Sequence, residues 1–240
     1  MPDINDSEIR RCQETSGLAD HEASGIITGV TGVILAGGAS SRMGSNKALL
    51  PYRGGRFIEA IHRQLAGMFN EVILVTNSLD QYDFLPCRKV ADLYEGMGVL
   101  AGIHSGLYHS SNPAIFAVAC DMPYLLEGLV RHLASRADVG GVLIPEGPKG
   151  LEPLHAIYGK GCLAAMEASL LSGQRRIVSF FHQVKVSTMK VEQVAIFDPS
   201  FVSFININTP NDYFELRDTE RHPDVPQQYA KQFDSVRRAG

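Results

Sequence analysis

The stretch GVILAGGASSRMGSNKALL, Gly32 to Leu50, sets the reading of the whole chain. It begins as an unbroken apolar run, turns at two adjacent glycines, and then adds serines, Arg42, Gly44 and Lys47 within a dozen positions. A short continuous apolar run bounded by turn residues marks a strand buried on both faces. The loop after it is not a Walker A loop, because Gly38 and Gly44 are separated by five residues and Lys47 does not directly follow Gly44. Nor is it G-x-G-x-x-G, since Gly37 and Gly38 are adjacent. Two readings remain. One is a tight strand-to-helix turn with solvated charges. The other is a phosphate cradle, in which backbone N–H groups converge on an anion and a lysine adds a point charge. Serines, a third glycine, arginine and lysine in one loop favour the cradle.

Outward from this stretch, apolar runs and helical periodicities alternate. Phe57, Ile58, Ile61, Leu65 and Met68 recur at three- and four-residue spacing and predict one apolar helical face. EVILVTN is a second strand, KVADL a weaker third and AIFAVACD a strong fourth, with helices expected around Leu100–Tyr108 and Leu125–Leu133. GGVLIP and PLHAIY are further apolar segments. After them come helices near Cys162–Leu171 and Arg176–Phe181, and a terminal strand, FININ. Buried strands alternating with helices predict an α/β, doubly wound, mostly parallel sheet with helices on both faces, in a single Rossmann-like domain. Residues 1–28 read as a flexible acidic arm, 29–217 as the domain and 218–240 as a polar tail.

Charge and composition narrow the function. The chain has 240 residues and a formal charge of −4. Six of its 26 acids and two of its 22 bases fall in the first 30 residues, which leaves 20 of each on the remainder. A neutral body lacks the basic field that drives nucleic-acid binding. The four cysteines stand far apart with no C-x-x-C pair, which disfavours a disulfide framework or a zinc site and predicts a reducing, cytoplasmic setting. No apolar run approaches the length of a membrane span, so no membrane partner is expected.

In an open α/β sheet, ligands bind beyond the carboxyl ends of the strands, so the residues standing there carry the chemistry. They are Ala36, Gly37 and Gly38, then Asn77, Asp92 and Asp121. Each has a bland alternative. Asn and Asp are ordinary turn residues, and Asp121, in ACDMPYL, could cap the next helix. Against capping, a carboxylate at the end of a central strand points into the ligand crevice, and Mg²⁺ takes one or two carboxylates plus phosphate oxygens and water. Near the other end of the chain, Asn206 and Asn208 would share one side of the FININ strand. The eight histidines form no H-E-x-x-H and no i, i+4 pair, and no G-x-S-x-G elbow is present, so metalloprotease and serine-hydrolase chemistry lack an anchor.

These residues together resemble a known family. LAGGASSRMGSNK is similar to L-A-G-G-x-S-x-R-M-G-x-x-K, the signature loop of nucleotidyltransferases with a pyrophosphorylase-type fold. GVLAGI, CDMPYL, SGQRRI and NINTPND resemble the G-P-L-A-G-I, C-D-x-P, G-x-R-R and N-x-N-T-P segments of one branch, the molybdenum cofactor guanylyltransferases, in order from Gly32 to Leu216. LEPLHAIY matches the form E-P-L-x-A-x-Y, and Val99 departs from the family's usual proline. The resemblance implies transfer of GMP from GTP to the phosphate of molybdenum-molybdopterin with Mg²⁺. It assigns GTP to the main chain of Leu35, Ala36 and Gly37 and to Lys47, Asn77, Asp92 and Asp121. It further assigns the ion to Asp121, and the pterin side to Asn206 and Asn208. Arg42, Lys47 and Asp121 are then the candidates for stabilising charge in the transition state. Three alternatives stay open: a relative using CTP, one using another phosphorylated acceptor, and a non-catalytic nucleotide-binding domain. So does transient contact with cofactor-synthesis proteins or acceptor apoenzymes.

Overall fold

The computed structural model describes residues 25–37, 46–52, 54–207 and Asp212. Its centre is an eight-stranded sheet made of β1 (Val30–Leu35), β4 (Val72–Val75), β5 (Arg88–Val90), β6 (Ala114–Ala119), β7 (Gly141–Gly147), β8 (Gly150–Leu151), β9 (His155–Gly159) and β10 (Lys185–Met189). The strand order is β10-β7-β9-β6-β1-β4-β5, with β8 against β7. A small antiparallel ribbon, β2 (Pro51–Tyr52) and β3 (Gly55–Arg56), leads into the first helix. β1 pairs in parallel with β4 and β6, as do β4 with β5 and β7 with β10, while β9 runs antiparallel between β6 and β7.

Among the described residues five helices cover the two faces: α1 (Phe57–Met68), α2 (Val99–His109), α3 (Glu127–Ser135), α4 (Leu163–Leu171) and α5 (Val191–Phe197). The continuously apolar strands alternate sides. Ile34, Leu74, Phe116 and Val118 pack with α1, α3 and α5, whereas Val33, Ile73, Ile115 and Ala117 pack with α2 and α4. Sheet and α2 approach closely because Gly106 has no side chain; a Cβ there would stand 2.6 Å from Val33 Cγ1. The expected helix near Arg176–Phe181 is a 3₁₀ segment, Ile177–Gln183. β10 and α5 are additions to the sequence-level reading.

One expectation fails. FININ is not a strand: Val202–Phe204 forms a 3₁₀ turn, and Ile205 to Ile207 follow without regular structure. The cause is Asp198, a fully buried carboxylate that accepts hydrogen bonds from Val202 N (3.0 Å) and Ser203 N (2.9 Å). These bonds fold the chain into a capped turn where a ladder would need it extended. At the other end of the described chain, Gly25 O accepts from Arg131, and Ile27 N donates to Met68 O, so the residues just before β1 lie against α1 and α3.

Candidate functional site

Strand register builds the site. Leu35 lies opposite Val75 on one side and Ala119 on the other, and Val75 lies opposite Val90. Four strand ends therefore form one line across the sheet, and Gly37, Asn77, Asp92 and Asp121 each stand two residues beyond it. The next residues of β1, β4 and β6 tie the edge together: Ala36 N donates to Val75 O (2.9 Å), Thr76 N to Val90 O (2.9 Å) and Cys120 N to Leu35 O (3.1 Å). The chain leaves β1 toward β4 and β5 and then returns on the other side as β6, so the strand order reverses between β1 and β6. That reversal is where a doubly wound sheet opens a crevice, and Leu35–Gly37 and Asp121 flank it.

Lys47 crosses this crevice. Its ammonium lies 3.8 Å from Asp121 Oδ2, with both side chains mostly covered. Burial raises the Asp121 pKa, and Lys47 partly offsets that shift. Asp121 is not a helix cap, because the next helix, α3, begins at Glu127 with Leu126 at its N-cap. The ordinary explanation for this carboxylate is therefore removed. Neighbouring Cys120 is a thiol pushed up to about 12 by burial and by the Asp121 charge, which makes it a poor nucleophile at neutral pH.

Asn77 and Asp92 form a second unit. Asn77 Oδ1 accepts from Asp92 N (2.9 Å) and its Nδ2 donates to Asp92 Oδ2 (3.2 Å). This bond pair joins the ends of β4 and β5 and is not a local turn bond of either residue. Burial raises the Asp92 pKa, the Asn77 hydrogen bond opposes that, and the Glu95 charge adds to it. Gly102 of α2 lies against both units: a Cβ there would stand 3.3 Å from Leu35 Cδ2 and at an ordinary contact distance, 3.6 Å, from Asp92 Oδ1. The variant residue Val99 occupies the first position of α2, where proline is tolerated because its missing N–H has no helical partner.

Several residues here were not singled out in the sequence. Asn46 caps the 3₁₀ segment Lys47–Leu49 by accepting from Ala48 N (3.2 Å). Its amide donates to Gln81 Oε1 (3.0 Å) and Tyr82 Oη (2.9 Å). One side chain thus anchors the backbone of Lys47 to the β4–β5 connection, where a hollow of ≈ 320 Å³ is lined by Asn77 to Gln81. Its position beside Lys47 was the available signal. On the far side of Asp121, Ile207 N donates to Asp121 O (2.9 Å) and brings exposed Asn206 to the crevice edge. Asn206 comes in on an irregular segment and not on the strand face expected for it. Arg42 and Asn208 lie outside the described residues.

The donor set tests a divalent ion. Among the described residues no group of three His, Cys, Asp or Glu side chains converges. One mostly covered carboxylate at the switch point fits an ion that arrives with phosphate oxygens and water as its other ligands. It does not fit an all-protein zinc-type site. No helix among the described residues is long and apolar enough to cross a membrane.

A mostly parallel sheet with a cation and a carboxylate facing each other at its switch point defines a nucleotide-handling α/β domain. The model of the MobA-like NTP transferase domain matches residues 32–187, and the chain belongs to that family of nucleotidyltransferases. It is 37% identical over 191 residues to a probable molybdenum cofactor guanylyltransferase of Pelotomaculum thermopropionicum, covering 78% of this chain and 91% of that one. It is 34% identical over 189 residues to a molybdenum cofactor guanylyltransferase of Desulfosudis oleivorans, covering 75% and 90%. The crystal structure of molybdopterin-guanine dinucleotide biosynthesis protein A from Archaeoglobus fulgidus superimposes with a TM-score of 0.67 at 28% identity, covering 80% of this chain and 97% of that one.

Proposed function

We propose that this protein transfers GMP from GTP to the phosphate of molybdenum-molybdopterin, forming the guanine dinucleotide form of the cofactor and releasing pyrophosphate. The observation that carries this reading is Lys47 Nζ standing 3.8 Å from Asp121 Oδ2 at the β1/β6 switch point. A cation and a metal-competent carboxylate on opposite walls suit a triphosphate with its ion, and the relatives' names supply the base and the acceptor.

The attacking group is an oxygen of the acceptor phosphate, already ionised at neutral pH, so the chain needs no nucleophile and no strong general base. That oxygen bonds to the α-phosphorus while the bond from the α-phosphorus to the oxygen bridging to the β-phosphorus breaks. The residues' work is to align these groups and to neutralise charge. Lys47 holds a phosphate oxygen, with Arg42 as a second cation. Asp121 holds the ion. When bound, Mg²⁺ would draw negative charge off the α-phosphoryl and the departing pyrophosphate. The sheet already engages Leu35 O and Ala36 N. The Leu35–Gly37 turn therefore meets the nucleotide chiefly through Ala36 O and the Gly37 peptide. Asp92, fixed by Asn77, contacts the nucleoside, and Asn206 with Asn208 faces the pterin. Residues 29–217 constitute the catalytic domain. The three described cysteines are free thiols, which supports a cytoplasmic setting.

The test is a panel of labelled nucleoside triphosphates, each incubated with Mg²⁺ and molybdenum-molybdopterin while pyrophosphate is followed. GTP alone is expected to turn over. Turnover with CTP and not GTP would overturn the reading.

A further inference from the structure

Glu152, the acid of LEPLHAIY, has been given no role above, yet it stands at the same edge of the sheet. β9 runs antiparallel to β6 with His155 opposite Val118, so the residues just before β9 lie beside the carboxyl end of β6, on the Asp121 side of the sheet. Glu152 N donates to Pro145 O (2.9 Å) and His155 N donates to Glu152 O (3.1 Å), which fixes the residue beside the carboxyl end of β7. The nucleotide turn lies on the opposite side of Asp121.

Here a glycine makes a close approach possible. A Cβ on Gly147 would meet Phe204 Cδ2 at 2.8 Å and Glu152 Oε1 at 2.9 Å, so only glycine lets an aromatic ring and a carboxylate close on one spot. Phe204 belongs to the turn that Asp198 caps, and the same chain continues to Asn206 and to Ile207, which is bonded to Asp121 O. Glu152, Phe204, Asn206 and Asp121 therefore share one wall of the crevice.

The acid at this corner is poorly satisfied. Glu146 is paired with Lys190 at 3.3 Å. Among the described residues no hydrogen-bond donor reaches the Glu152 carboxylate, and Lys149 is the only charge that eases it. Burial pushes its pKa up to about 7. A half-buried acid without donors costs stability that a glutamine would spare. A ligand that brings its own donors would satisfy it.

The acceptor's phosphate must reach the α-phosphoryl near Lys47 and Asp121, and a carboxylate repels phosphate. Glu152 therefore suits the end of the acceptor remote from its phosphate. We propose that Glu152 recognises the acceptor's heterocycle, its carboxylate accepting the adjacent ring N–H and amino N–H of an aminopyrimidinone edge beside Phe204. This assignment rests on the guanylyl-transfer reading for the identity of the acceptor. Two parallel charge-assisted bonds of this kind give both affinity and orientation.

Two measurements test it on the full chain. In the transfer assay, Glu152→Gln is expected to raise KM for the acceptor about 10-fold or more, to leave KM for GTP and the Mg²⁺ requirement within about twofold, and to raise the thermal midpoint at pH 8. An unchanged acceptor KM overturns the proposal. So does a matching rise in KM for GTP, a shift in the Mg²⁺ requirement, or a lowered thermal midpoint, which would mark a structural acid. In the second measurement, a fluorescent 6-substituted pterin is titrated without nucleotide. Wild type is expected to bind it and Glu152→Gln to bind at least about 10-fold more weakly; equal binding contradicts the assignment. If that difference appears while wild type fails to use GTP, the guanylyl-transfer reading falls and the assignment of Glu152 stands.

Discussion

The two ends of the sheet use the same residue types to opposite effect. At the amino end, Glu71 receives hydrogen bonds from Thr31 Oγ1, Ser111 N and Ser111 Oγ, and Asn112 closes the cluster by donating to Thr31. Burial works to raise its pKa, but these bonds and the Arg88 charge win, and the net shift is downward. At the carboxyl end, Asp92, Asp121 and Glu152 are all shifted upward, with burial the largest cause each time. Glu71 is less deeply buried than the other three, and it collects three donors where they collect few. One end closes its polar groups on themselves and holds strands together. The other leaves carboxylates short of donors, and such perturbed groups in a crevice mark a site that a ligand completes.

Substitutions at the two ends should therefore separate activity from stability. Asp121→Ala is expected to abolish ion-dependent transfer, a loss of at least about 10²–10³-fold in kcat, while circular dichroism and the unfolding midpoint stay close to wild type. Lys47→Ala should lower kcat/KM for GTP by about 10²-fold, because the departing phosphates would then leave without the lysine charge beside them; an unchanged value would remove Lys47 from the site. Glu71→Ala reverses the pattern. It should cost about 1–3 kcal/mol of stability in urea unfolding, as hydrogen bonds disappear and donors are left unpaired, with KM for both substrates unchanged.

The smallest expected effect is in pH dependence. The folded-state pKa of Glu71 lies below its unfolded value, so its contribution is present above pH 4.5 and is lost as pH falls. Glu152 has the opposite sign. Its folded-state pKa, about 7 against 4.5, makes the native state less stable as pH rises from about 4.5 to 7. Urea midpoints across that range should flatten in Glu152→Gln. In Glu71→Ala, the decline below pH 4.5 should be the part that flattens.

The central strands and the helices packed on them were legible because burial on both faces leaves an unbroken apolar run, and α1 and α3 present clean stripes. The antiparallel course of β9 was not, since a buried strand reads the same in either direction. β10 is an edge strand with mixed burial, and α5 is short, with Val194 as its only fully buried residue, so neither carries a strong period. FININ read as a strand because nothing in the local pattern shows that Asp198, four residues before Val202, will cap a turn. The line Gly37, Asn77, Asp92 and Asp121 was visible as four strand ends, and register then set them abreast. Asn46 escaped notice, and Glu152 stood in LEPLHAIY without a role, because their meaning lies in partners: Gln81 and Tyr82 for one, Gly147 and Phe204 for the other.

On the proposed reading, GTP's phosphates and their ion sit between Lys47 and Asp121. Mn²⁺ titration followed by electron paramagnetic resonance, with and without GTP, tests this directly on wild type and Asp121→Asn. Wild type is expected to bind one Mn²⁺ tightly only when GTP is present, and the variant to bind it at least about 10-fold more weakly with its fold unchanged. Equal Mn²⁺ binding by the two proteins in the presence of GTP would contradict the account.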